Sequence, residues 1–157
     1  MATPREPATL SIGAPEAIIS RDVLVSSAEL LALNATPKSL VPAPGANYAL
    51  VFEGLVIHKP AGTAYAGIAA GEDLSVKYTD GAGAEVGECE TTGFLDQATA
   101  QTRYVRPHNA ASAISSLTPT ANAALVLHML TGEITTGNSP LHVRVFYRIV
   151  PVIAFAS

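Results

Sequence analysis

Residues 122–130 and 141–150 constrain the fold more than any other part of the chain. In the second segment Leu141, Val143, Val145, Tyr147 and Ile149 point one way, and His142, Arg144, Phe146 and Arg148 the other. That alternation is the period of a half-solvated β-strand. The first segment is apolar on both faces apart from His128, as in a strand covered on both sides. Read in order, the two form a hairpin closed by the loop TGEITTGNSP at 131–140. A doubly covered strand beside a half-solvated one belongs in a β-sandwich or at a seam between subunits.

Composition narrows the partners. The chain has 157 residues, the size of one domain. Hydrophobic residues make up 48%, much of it alanine, and charged residues only 14%, against ~25% in an ordinary soluble protein. So little charge implies that another chain covers part of the surface. Net charge is −4 and the nine Lys and Arg form no cluster, which excludes nucleic-acid binding by phosphate neutralisation. No apolar run approaches the ~20 residues of a membrane span. The N-terminus lacks the charged and apolar regions of a signal peptide, so synthesis in the cytoplasm without secretion is expected. Cys89 is the only cysteine and cannot form an intrachain disulfide. Glutamates on either side should raise its thiol pKa, which makes it a small strand residue rather than a nucleophile.

Along the chain, Pro4, Pro7 and Pro15 with Gly13 exclude helix from residues 1–17. This segment reads as an extended N-terminal arm laid on a neighbour, followed by a single β-sandwich domain at 18–157. Strands are expected at 18–25, 38–41, 48–58, 73–79, 84–91 and 101–106, besides the two segments above, and 63–70 is a further candidate. Gly54, inside an apolar run, marks a bulge or a close backbone approach. Ser26 stands three residues before Glu29, the spacing of a helical capping box, and one or two helical turns follow it, with a continued strand as the alternative. Gly93 to Asp96 suggests a turn of helix. The sequence DGAG at 80–83 is a hairpin turn, and 108–120 a long loop. Eight to ten short strands with little helix give an all-β fold, a sandwich or jelly roll.

Chemistry is sparse. His58, His108, His128 and His142 lack metal-ligand spacing. Only His128 and His142 face each other across the expected hairpin, and ordinary strand histidines are the simpler reading. The carboxylates of Glu72, Asp73, Glu85, Glu88 and Glu90 flank turns or alternate along a strand, as solvated positions do. No nucleophile elbow or phosphate loop is present. No catalytic, cofactor-binding or metal residues are therefore assigned, and a non-enzymatic role is expected.

Several stretches carry a resemblance: SSAELLALNATP at 26–37, LVPAPG at 40–45, YAGIAAGEDL at 65–74, TGFLD at 92–96, and 122–150 with its TGEITTGNSP loop. Together they resemble small proteins encoded among the structural genes of tailed bacteriophages, some of which look like head decoration (cement) proteins with a jelly-roll-like fold. The resemblance implies a virion protein on the outer capsid surface. It would bind the major capsid protein as a homo-oligomer (a trimer favoured over a dimer), clamp adjacent subunits and need no cofactor, nucleic acid or membrane. A tail- or fibre-associated module binding host glycans, with recognition loops at 107–121 and 131–140, is the alternative.

Overall fold

Alternating apolar positions organise two antiparallel four-stranded sheets around one core in the computed structural model, which describes residues 17–108, 118–132 and 134–152. The elements in chain order are β1 (Ile19–Val25), α1 (Ser27–Ala32), β2 (Lys38–Val41), β3 (Tyr48–Lys59), β4 (Asp73–Tyr78), β5 (Glu85–Glu90), β6 (Gln101–Val105), β7 (Leu125–Met129) and β8 (Leu141–Pro151). The expected arm, apart from Ala17, lies outside the described residues, as do 109–117 of the long loop and the tail after Val152.

The first sheet runs β1-β8-β3-β6 and the second β2-β7-β4-β5. Pairing follows the pattern of one long folded hairpin: β1 with β8, β2 with β7, β3 with β6, and β4 with β5. Lateral contacts of β3 with β8 and of β4 with β7 complete the sheets. Inward residues from both sheets, among them Leu55, Ile57, Val143 and Val145 against Leu74, Val76, Leu125 and Leu127, form a single core cluster. Burial of such side chains contributes roughly 1.5–3 kcal/mol each.

The hairpin expected at 122–150 does not form. β7 is central in the second sheet, between β2 and β4, and β8 is central in the first, between β1 and β3. All five residues of β7 are buried, and on its outer side the β4–β5 turn at Gly81 packs against His128. β8 alternates over its first half, since among the described residues only one face of its sheet is covered. A connection as long as 131–140 suits a crossing between sheets better than a hairpin turn, which typically spans 2–5 residues.

That crossing loop is anchored on the segment 62–72, which is not the strand suggested by its sequence. Residues 63–70 contribute only an isolated bridge, Ala66 with Thr136. Thr63 N–H donates to Asn138 Oδ1 at 2.7 Å, and the Tyr65 hydroxyl donates to Ser139 O at 2.6 Å. The Glu72 carboxylate accepts from Thr131 N–H at 2.9 Å and from the Thr131 hydroxyl. Small side chains and Gly67 at φ 76° let this segment fold back rather than extend.

Two local readings hold. Ser26 caps α1, its hydroxyl accepting from Glu29 N–H at 3.2 Å while the Glu29 carboxylate accepts from Ser26 N–H at 2.9 Å. Gly54 sits at φ 142° where the β3–β8 register shifts between Phe52 and Gly54, so it forms a bulge. A Cβ there would lie 3.0 Å from Val105 O. The Gly93 to Asp96 stretch is a turn, in which Leu95 N–H donates to Thr91 O at 2.8 Å.

Candidate functional site

Among the described residues, the outer face of the first sheet is open and partly apolar. Register places Leu24, His142, His58 and Thr102 in one row across β1, β8, β3 and β6. Asp22, Arg144, Val56 and Tyr104 form the next row, and Ser20, Phe146 and Gly54 the third. Leu24 is 55% exposed and Tyr104 59%. Between them lies a shallow cleft of ≈ 670 Å³ lined by Leu24, Val56, His58, His142, Arg144 and Phe146, among others.

Several polar groups of this face are paired with one another. Arg144 donates from Nε and from its terminal nitrogen to the two Asp22 carboxylate oxygens at 2.7 and 2.8 Å. This bidentate pair holds the Asp22 carboxyl below its usual range, chiefly through the hydrogen bonds. Arg148 pairs with Glu53, the extra residue of the bulge, at 2.9 Å. His58 and His142 are direct cross-strand partners with ring centroids 6.3 Å apart, and the Thr102 hydroxyl lies 2.9 Å from His58 Nδ1.

His128 is not near His142, contrary to the pairing expected from the sequence. It lies in the other sheet, buried, and burial followed by the charge of Lys77 lowers its pKa. A Cβ on Gly81 would lie only 2.6 Å from its Nε2, so the β4–β5 turn closes tightly over the ring. Cys89 is a buried strand residue, as expected. Burial, more than the adjacent acids, pushes its thiol up to about 11, where it is inert as a nucleophile at neutral pH.

The carboxylates depart most from expectation. Glu72 is fully buried, its charge held by the Thr131 donors. The Glu85 side chain is only 9% exposed. Glu85, Glu88 and His108 each bring one ligand-type atom within 4.8 Å of the other two. His108 Nδ1 is 3.8 Å from Glu85 Oε1 and 3.9 Å from Glu88 Oε2. Backbone pairing creates the meeting, since His108 N–H donates to Val86 O at 2.8 Å just beyond β6. Burial, and then the charge of Glu85, push the Glu88 carboxyl above its ordinary range. Sequence spacing hid this group because the histidine lies about 20 residues from the glutamates and reaches them only where two sheet edges meet.

Lys59 is a further buried charge. It is fully enclosed at the end of β3 and donates to the carbonyls of Gln97 at 2.7 Å and Thr99 at 3.3 Å. Burial lowers its pKa, partly offset by Asp96. This one ammonium ties the end of β3 to the loop that leads into β6, a structural use of the charge.

Comparison with protein-family models, curated proteins and solved structures returned no match.

Proposed function

We propose that this chain is a non-enzymatic virion structural protein of a tailed bacteriophage, a decoration protein that binds the outer head surface and clamps neighbouring major capsid subunits. The observation that carries the reading is the outer face of the first sheet, uncovered among the described residues, where Leu24, Val56, Tyr104 and Phe146 lie around the His58–His142 pair. A protein with only 14% charged residues that exposes such a face gains by placing it against another chain. The phage-protein resemblance of the stretches at 26–37, 40–45, 65–74, 92–96 and 122–150 supports the same reading.

The pairing order is consistent with a jelly roll, a long hairpin of four strand pairs wound around the core. Such a rigid sandwich presents a wide face without rearranging, which keeps the ordering cost of association small. A homotrimer at a local three-fold axis is the assembly we infer, because symmetric repetition multiplies individually weak contacts.

Particles carrying the protein and particles stripped of it are to be heated in parallel. Genome release at a higher temperature from the decorated particles is the expected result, and equal temperatures would remove the clamping role. Labelling of intact particles separates this reading from the tail-associated glycan-binding one, since signal at the head supports decoration and signal at the tail supports adhesion.

A further inference from the structure

We propose that Glu85, Glu88 and His108 form a binding site for a divalent transition cation of the zinc or manganese type, joining the open edges of the two sheets. β5 is the edge strand of the second sheet, and His108 follows β6, the edge strand of the first. An ion held by these three side chains would fasten one edge to the other.

The donor set is two carboxylate oxygens and one imidazole nitrogen, each within 4.8 Å of the others. Ligands at the usual ~2.0–2.2 Å from zinc stand roughly 3.4 Å apart at tetrahedral angles. The His108 distances of 3.8 and 3.9 Å therefore need to contract only by about half an ångström. Imidazole favours transition ions over calcium or magnesium. Three protein ligands leave a position for water or for a group from a partner.

Convergence of acids with a histidine is common on protein surfaces, but here a second observation points to a ligand. Glu85 Oε1 is buried, receives no hydrogen bond from the described residues and lies 3.8 Å from His108 Nδ1, and the side chain that carries it is only 9% exposed. A carboxylate oxygen removed from water without a donor is costly. Asp73, on β4 opposite Glu90 and close enough to hydrogen-bond Glu88, also has a buried oxygen, Oδ1, that lacks a donor among the described residues. Three neighbouring carboxylates beside a single histidine leave negative charge that a dication would neutralise. Nearby Lys77, opposite Glu85 in the register, donates instead to Gly81 O at 2.8 Å.

The full chain is to be cleared of metal with EDTA and dialysed against Zn²⁺, Mn²⁺, Ca²⁺ or Mg²⁺, with bound metal and Tm measured for each ion. We expect about one equivalent of Zn²⁺ or Mn²⁺ and an upward Tm shift of several degrees at saturating ion. Glu85→Gln, Glu88→Gln and His108→Gln should each weaken binding by about tenfold or more. His108, half exposed, gives a variant that folds even if the glutamate variants do not. The double variant His58→Gln/His142→Gln controls for the other histidine pair and should bind normally. Absence of bound Zn²⁺ and Mn²⁺, unchanged affinity in His108→Gln, binding lost in the double variant, or loading by Ca²⁺ or Mg²⁺ alone would each overturn the assignment.

Discussion

Glu29 shows how much one exposed carboxylate can be asked to do. Lys38, then the Ser26 N–H and hydroxyl, lower its pKa to about 2 from an ordinary 4.5. A carboxyl lowered in the fold adds stability above its unfolded pKa and loses it as the pH falls through the folded one. Glu29→Gln should therefore lower Tm at pH 7, and its gap from the parent protein should close between about pH 4.5 and pH 2. Thermal melts of both proteins across that range measure it, and a gap independent of pH would remove the ionic contribution. Gly87 tests packing instead of charge. A Cβ there would lie 2.7 Å from Phe52 Cε1 and 3.2 Å from Val105 Cγ1. Gly87→Ala should cost about 1–3 kcal/mol of overpacking, read from the midpoint of urea unfolding.

Among elements, the crossing loop at 131–140 is the one whose role sequence patterning least reveals. It joins strands of opposite sheets and is held by Tyr65, Asn138, Glu72 and Thr131 rather than by strand pairing. The Tyr65 hydroxyl is buried, and burial pushes it up to about 12, so it stays a donor to Ser139 O at all physiological pH. Tyr65→Phe should cost about 1 kcal/mol and speed hydrogen exchange of the Thr63 and Ala66 amides, which donate to the loop. Unchanged exchange would mean that the loop is held without the hydroxyl. The anchoring also bears on the glycan-binding alternative, because a loop tied down at Thr131, Thr136, Asn138 and Ser139 is poorly suited to adapt to a ligand. Ser26→Ala probes the cap of α1, with an expected loss of about 1 kcal/mol in the same unfolding assay.

For the molecule as a whole, the proposed reading makes the outer face of the first sheet the surface of association. Leu24 and Tyr104 are more than half exposed and sit on opposite edges of that face. Leu24→Asp and Tyr104→Asp should leave Tm nearly unchanged, since neither side chain belongs to the core. On the proposed reading both should reduce occupancy on capsids by an order of magnitude or more, measured by co-sedimentation with particles. Full occupancy would move the binding surface elsewhere. Native mass spectrometry of the free protein tests the trimer, and a monomeric mass at micromolar concentration would count against it.

Local chemistry was legible in the sequence. The capping box at Ser26, the bulge at Gly54, the DGAG turn and the strand periods all follow from short-range sterics and hydrogen bonding, which neighbouring residues settle among themselves. The all-β class and the central, doubly covered position of β7 followed from the same periods. Partner choice did not. Two apolar strands in succession are equally satisfied by pairing with each other or by burial in opposite sheets, and only the packing of all eight strands separated 122–130 from 141–150. The same long-range pairing parted His128 from His142, brought His58 to His142, and carried His108 to Glu85 and Glu88. Such meetings depend on register between strands far apart in the chain, a property of the sheets and not of any one segment.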